Sequence, residues 1–466
     1  MNKLLTQFLK YSIGSLGAAA LNFLTIPIVT YFISPTEYGK TSMFFLVQTI
    51  LLSVIYLGFD QAFAREFYEV NQLKKLLFNA MALPIIISFC LVFFLLTFKK
   101  QISTLLFSDT NADGAIYLLC LMIFALIFER FLFLLMRVEN KSLEFSFFNI
   151  LVKFAILVCT LLFLIFQSHT YIAAIYGTII GQLVGDSILV IRNWRLFSVS
   201  FALFDKKIWM SLFKFALPIF IATVIYSSFT VFDKIIIRAF SGFAALGLYT
   251  AAFKVASVLL IVQTTFANFW MPTAYEWYKE KRPIKDFQFV SEIVLLLISI
   301  LFVFMLMFKD VLIFLLSPEY KEAKYIFPFL CFYPLMMTLS ETTNLGIVFL
   351  KKGYLNIFVS TSALIVSIIL NLTLIPSFGP IGGAIATGSS YIVFFFIRTY
   401  FAGRAWQPIK IKKHMIIILC LLILALCNVF IHDTLFLVTL EVVTICIIIL
   451  LFLPLLNLIW KRGFNK

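Results

Sequence analysis

The chain has 466 residues, is 62% hydrophobic and only 13% charged, and carries a formal net charge of +15. Its apolar residues come in runs far longer than a soluble core helix needs, which excludes a soluble globular protein and marks an integral membrane protein. The runs do not alternate in polarity with period two, which excludes a membrane β-barrel.

A bilayer core of roughly 30 Å takes about 20 helical residues to cross. Each apolar run bounded by polar residues therefore counts as one span, and fourteen are expected. Their limits are 8–33, 41–64, 78–98, 115–136, 147–167, 170–191, 212–240, 246–270, 289–308, 325–350, 354–376, 380–401, 415–432 and 434–458. In the first, Lys3 and Lys10 precede a run containing Ala18, Ala19 and Ala20, which imitates a signal-peptide cleavage site. Apolar sequence continues to Ile33, so this segment reads as an uncleaved span.

Basic residues set the orientation. Counted over alternate loops, roughly 26 Lys and Arg fall on the side of the termini and 7 on the other. The positive-inside rule then makes both termini cytoplasmic. Trp194, Trp209, Trp270, Trp277, Trp406 and Trp460 all lie at span ends or loops of that same face, where interfacial anchors belong. Topology and contact with anionic membrane lipids thus account for the positive charge, and no nucleic-acid partner is needed. Cys90, Cys120, Cys159, Cys331, Cys420, Cys427 and Cys446 lie inside spans without CxxC spacing and read as free thiols. His169, His414 and His432 are scattered, so neither a metal site nor a cofactor is expected. The 57 phenylalanines read as lipid-facing packing rather than as sugar-stacking platforms.

The longest polar segment, 193–211, divides six spans from eight, after which the sequence begins again. "FLKYSIG" from Phe8 is answered by "LFKFALP" from Leu212, and "ISPTEYGKTSMFFLV" (33–47) by "FSGFAALGLYTAAFKV" (240–255). Both copies start on the cytoplasmic side, so the repeat is parallel, about an axis along the membrane normal. The expected architecture is an all-α polytopic membrane protein of about 14 transmembrane helices. It comprises an N-terminal six-helix bundle (1–192), a cytoplasmic linker (193–211), a C-terminal six-helix bundle (212–404) related to the first by a pseudo-two-fold axis, and an extra helix pair with a cytoplasmic tail (405–466).

The segment "ISPTEYGKTSMFFLVQTILLSVIYLGFDQAFAREFYE" resembles the start of polysaccharide exporters of the O-antigen flippase type. That family belongs to the multidrug/oligosaccharidyl-lipid/polysaccharide exporter superfamily. Tyr38, Gly39, Gly58, Asp60 and Arg65 carry the likeness, and "VFDKIII" with "GLYTAAFKV" extends it through Asp233, Lys234, Gly247, Tyr249 and Lys254. The resemblance implies a transporter, not an enzyme. It would flip an undecaprenyl-pyrophosphate-linked oligosaccharide from the inner to the outer leaflet by alternating access, for O-antigen, capsule or exopolysaccharide synthesis. It leaves open partnership with a polysaccharide polymerase and a chain-length regulator, and coupling to H+ or Na+.

Ionised side chains at mid-bilayer cost at least about 2.5–3.5 kcal/mol each, so those inside spans must face protein or water. Depth counting pairs Asp233 with Lys254 in the outer half and leaves Lys234 as a lumen cation. It also places Glu129, Arg130, Lys153 and Asp186 together roughly 9–12 Å from the inner surface. In "TLSETTNLG" (338–346), Glu341 and Asn344 lie near mid-membrane with no basic residue adjacent in sequence, and an unpaired carboxyl there can carry a proton. Arg65, Arg130, Lys153, Lys234 and Lys254 are the candidate substrate-binding cations. Asp60, Glu129, Asp186, Asp233, Glu341 and Asn344 are candidates for ion coupling or structural pairing. Two alternatives stay open: a cation-coupled multidrug antiporter of the same superfamily, disfavoured because span one holds no acid, and a membrane polymerase or glycosyltransferase, disfavoured by short outer loops without a catalytic constellation.

Overall fold

The computed structural model describes residues 2–70, 72–110, 112–197 and 203–463, all of whose regular elements are helices. The linker stretch 198–202 and the last tail residues, 464–466, lie outside the described residues, as do the side chains of Lys3 and Lys10. The chain divides into two compact units, 1–231 and 232–466. Unit 1 holds α1 (Asn2–Phe32), α2 (Pro35–Tyr56), α3 (Phe59–Glu66), α4 (Leu73–Thr97), α5 (Lys99–Phe107), α6 (Asp113–Val138), α7 (Ser142–Phe166), α8 (Tyr171–Arg192) and the first part of α9 (Lys206–Ser257). Unit 2 holds the remainder of α9, α10 (Leu260–Lys279), α11 (Ile284–Met307), α12 (Lys309–Phe314), α13 (Ala323–Leu330), α14 (Phe332–Thr343), α15 (Leu345–Phe349), α16 (Tyr354–Ala405), α17 (Lys412–Phe430) and α18 (Thr434–Gly463).

Among the described residues, ten helical stretches are long and apolar enough to cross a membrane. Two of them cross twice. A straight 52-residue helix would be about 78 Å long, more than twice a bilayer core, and α9 breaks at Gly242, where φ is 80° and ψ −173°. The Tyr249 hydroxyl donates to the Asp233 carboxylate 16 residues earlier, groups about 24 Å apart along a straight helix. The helix therefore folds back on itself at Gly242. In α16 the break is at Gly379 (φ 55°), and Gly382 comes so close to the Leu374 carbonyl that a Cβ would lie 2.3 Å from that oxygen. With α1 and the interrupted α13–α15 stretch counted once each, the helical path is compatible with the fourteen spans read from the sequence.

In unit 1, extended Ser34 caps α2, its Oγ accepting the Glu37 N–H at 3.4 Å, and Pro35 occupies the first position, where a missing N–H costs nothing. Leu57 and Gly58 are both left-handed and stop α2 at Tyr56, earlier than the limit of 64 expected. The residues beyond form the short α3, which buries Phe59, Ala62 and Phe63. Phe59 packs against Trp209 and Phe213, Ser211 Oγ donates to Glu66 Oε1 at 3.0 Å, and Arg65 lies 4.4 Å above the Phe215 ring. These contacts draw the first turns of α9 into unit 1.

The end of the linker is tied to α4. Asn79 donates to the Leu203 carbonyl at 2.8 Å and accepts the Asp205 N–H at 3.0 Å, while Lys75 pairs with Asp205 at 2.8 Å. The Lys75 hydrogen bond, with those of the Lys207 and Ile208 amides that Asp205 caps, holds the Asp205 carboxyl below its usual range. Elsewhere, Gly177, Gly181 and Gly185 on α8 meet the α7 backbone. A Cβ on Gly181 would lie 2.5 Å from Ile156 Cα, so only a hydrogen fits there.

Candidate functional site

Unit 1 gathers polar side chains from five helices. The turn after α2 brings Asp60 on α3 beneath Arg130 of α6, whose Nε (3.0 Å) and Nη2 (2.7 Å) both donate to the single oxygen Oδ2. The Tyr56 ring lies 5.9 Å from that guanidinium, and its hydroxyl donates to the Leu126 carbonyl at 2.9 Å. On α8, Gln182 Nε2 reaches both oxygens of Asp186 at 2.9 Å, one turn away. Glu129, beside Arg130 in sequence, and Asp186 both interact electrostatically with Lys153 of α7. The depth count grouped Glu129, Arg130, Lys153 and Asp186, which here interact with one another. It missed that Asp60 joins them, because it placed Asp60 on span two rather than on a separate short helix.

Unit 2 holds two groups. Asp233 accepts from its neighbour's backbone N–H (2.8 Å), Lys234 Nζ (3.2 Å), Thr387 Oγ1 (3.2 Å) and the Tyr249 hydroxyl. Where depth counting assigned Lys254 as the partner of Asp233, the ion pair is formed with Lys234. The Gly242 turn brings Tyr249, not Lys254, opposite the carboxylate. Lys234 Nζ also sits 4.5 Å from the Phe253 ring centroid, so Lys234 is held on two sides.

The second group surrounds Glu341. Gln263 donates to Oε1 at 3.3 Å, Asn344 to Oε2 at 3.4 Å, and the Trp270 indole to the Glu341 carbonyl at 3.2 Å. Arg398 Nη1 lies 3.9 Å from Oε1 and donates to Ser340 at 2.9 Å. The absence of a basic residue near Glu341 in sequence therefore does not carry over to space, because α16 supplies one from 57 positions away. Asn344 occupies the break between α14 and α15, and its buried Oδ1 has no hydrogen-bond partner.

Three buried features escaped the sequence reading. Arg398 was counted with the cytoplasmic loop that follows, yet it stands in an unbroken apolar run, "YIVFFFIRTYF", which is the signal that it lies within a helix. Lys309, counted as an outer-loop charge, is buried and donates to Asn428 Oδ1 at 2.7 Å and to the Asn428 carbonyl at 3.2 Å. Asn428 in turn donates its Nδ2 to the Leu424 carbonyl at 3.1 Å. His414 of α17 is fully buried against Ser291 Oγ (2.9 Å), which also meets Thr342 Oγ1 (2.8 Å).

Among the candidate site residues read from sequence, most acids are more buried than the bases. Asp60, Asp186, Asp233 and Glu341 are 5%, 1%, 3% and 8% exposed. The Arg130 side chain is 43% exposed, and Arg65 and Lys254 are exposed as well. Glu129, Lys153 and Lys234 lie in between. The near balance of charge counted along the chain thus conceals acids that are mostly recessed behind more accessible bases.

The family described as polysaccharide biosynthesis protein matches residues 4–276. Among solved structures, the chain is similar to the lipid II flippase MurJ in an inward closed conformation, with TM-score 0.72 and 15% identity over 96% of this chain and 99% of that one. It is also similar to a multidrug resistance MATE family transporter of the MOP superfamily in an inward-facing conformation (TM-score 0.64, 14% identity, 83% and 94% covered). A third is a MOP superfamily transporter from Pyrococcus furiosus (TM-score 0.55, 12% identity, 85% and 93% covered). No curated protein sequence matches significantly. At these identities the likeness to solved structures is one of fold, that of a helical, multi-pass membrane protein.

Proposed function

Because the chain belongs to the polysaccharide biosynthesis protein family, we propose that it flips a lipid-linked oligosaccharide, carried on undecaprenyl pyrophosphate, from the inner to the outer leaflet of the bacterial cytoplasmic membrane by alternating access. A sugar chain and a pyrophosphate cannot cross hydrocarbon unaided, so a polar path must carry the head while the isoprenyl tail stays in lipid. The observation that carries this reading is the sorting of charge by exposure. Arg130 stands about 12 Å inside the end of α6, where an exposed guanidinium facing lipid would cost several kcal/mol. Its exposed side is therefore read as facing a water-filled lumen, and Arg65 and Lys254 are read as further cations for the anionic headgroup.

The same sorting weighs against the multidrug antiporter reading, since cationic drugs call for accessible carboxylates rather than accessible guanidinium groups. Coupling to H+ or Na+ is assigned to the recessed acids, with Glu341 and Asn344 the first to test. Termini on the cytoplasmic side, a product handed to a polymerase and chain-length regulator, and use in O-antigen or related surface polysaccharide complete the reading. The test is reconstitution: purified protein in liposomes should move a fluorescent isoprenyl-pyrophosphate oligosaccharide across the bilayer, and Arg130→Gln should slow it at least tenfold. Equal rates in protein-free liposomes, or transport of cationic dyes in its place, would overturn the reading.

A further inference from the structure

We propose that the Asp60 carboxylate is a built-in competitor for the anionic group of the substrate, occupying Arg130 when the site is empty and exchanging with pyrophosphate during loading and release. The inference rests on the flippase reading and adds to it the residue that lets the cation let go.

The geometry differs from that of a helix fastener. Two N–H groups of Arg130 converge on one oxygen of Asp60, whereas the strong arrangement is a fork in which two parallel N–H groups meet two oxygens. Of the five N–H donors of a guanidinium, the remaining three are left for another acceptor. The partners are also unequal in access: the Asp60 side chain is 7% exposed and that of Arg130 43%. A pair built to tie α3 to α6 would bury both ends, yet here the acid is behind and the cation in front. Fastening of α3 to α6 is supplied separately, by Phe63 against Phe131.

The surroundings make exchange workable. The Tyr56 ring lies alongside the guanidinium, so the cation is steered while its partner changes. Glu129 and Asp186 interact electrostatically with Lys153, and Asp60 is the carboxylate hydrogen-bonded to Arg130. A pyrophosphate carries more charge and more acceptor oxygens than a carboxylate, and it can engage the fork and the unused N–H groups together. A lone exposed Arg would hold such a ligand tightly and release it slowly. A tethered carboxylate at 2.7 Å offers a lower-affinity alternative that is always present, which weakens apparent binding by the fraction of time Arg130 is occupied.

The experiment measures binding of radiolabelled farnesyl pyrophosphate to the full chain in detergent, with farnesol as the uncharged control. Asp60→Asn keeps the shape and removes the competing charge. It should bind farnesyl pyrophosphate about 3- to 10-fold more tightly than the wild type, leave farnesol binding unchanged, and slow flipping of an isoprenyl-pyrophosphate oligosaccharide in liposomes. Adding Arg130→Gln should abolish the gain. Equal or weaker binding by Asp60→Asn, with wild-type binding intact, would overturn the exchange and leave the flippase reading standing. No binding of farnesyl pyrophosphate by either protein would overturn both. Loss of folded protein in both Asp60→Asn and Asp60→Ser would make Asp60 a structural tie and likewise overturn the exchange.

Discussion

Replacing Lys234 separates a held ion pair from a free lumen cation. Read from sequence alone, Lys234→Met should leave the fold intact and lower only transport. The structure reverses that expectation: Lys234 Nζ bonds the 3%-exposed Asp233 carboxylate at 3.2 Å and lies over Phe253. Breaking a buried pair by removing one partner costs about 3–5 kcal/mol when the remaining charge is uncompensated. Here the carboxylate keeps Tyr249, Thr387 and one backbone N–H. Hydrogen bonds to a charged group are worth about 1.5–3 kcal/mol each, so the remaining partners offset part of the loss, and a cost of about 2–3 kcal/mol is expected for Lys234→Met. Asp233→Asn should cost a similar amount, because it strands the ammonium instead. The double variant should be less destabilised than the sum of the two by at least about 1 kcal/mol, the sign of a direct pair. Unfolding midpoints in mixed detergent micelles, followed by tryptophan fluorescence, supply the four corners of the cycle. Additive losses would refute the pairing argument, and a cost below about 0.5 kcal/mol for Lys234→Met would show that the pair with Asp233 adds little to stability.

Other outcomes are open to direct measurement. Gly181→Leu pushes a side chain into the Ile156 backbone of α7 and should abolish accumulation of folded protein, whereas Gly353→Ala, with open space around its Cβ position, should accumulate normally. Glu341→Gln should remove stimulation of transport by an imposed pH gradient while farnesyl pyrophosphate binding persists, and unchanged gradient dependence would leave Glu341 a purely structural partner of Arg398. Asp205→Ala removes both the cap of α9 and the partner of Lys75, so trypsin should cut the linker faster at the same global stability. Reporter fusions after Lys466 and near Asp109 should report opposite sides of the membrane; the same side for both would end the fourteen-span orientation.

What the sequence revealed of the fold follows from what hydropathy measures. Span number and order are legible because lipid demands about 20 apolar residues per crossing, and that demand acts on each segment alone. The ends are less so. Span two was read to 64 because "IYLGFDQAF" stays mostly apolar, and hydropathy does not register that Leu57 and Gly58 turn left-handed and start a new helix at Phe59. Partners are harder still. The cluster of Glu129, Arg130, Lys153 and Asp186 was legible because all four share a depth that residue counting gives at 1.5 Å per residue. Arg398 beside Glu341 and Asn428 beside Lys309 were not, because which helix faces which depends on rotation about each helix axis, and a fully apolar run has no polar face from which to read it.

The same reasoning shows how little a charge count along the chain says about the site. Summed along the chain, the acids and bases within the spans nearly cancel, and a cavity of either sign looks equally available. Cancellation in number is not cancellation in position. A carboxylate has a short stem and accepts hydrogen bonds from hydroxyls, amides and backbone N–H groups, so a folded interior can satisfy it in place, as Tyr249 and Thr387 do for Asp233. Arginine and lysine carry the charge on a long apolar stem that can lie along the helix surface while the head reaches water. In the Arg130–Asp60 pair the stem of the base carries its head outward, and the acid stays at the root. On the flippase reading we propose, such a pair would present positive charge to an entering ligand, and the negative charge beside it would keep that grip reversible.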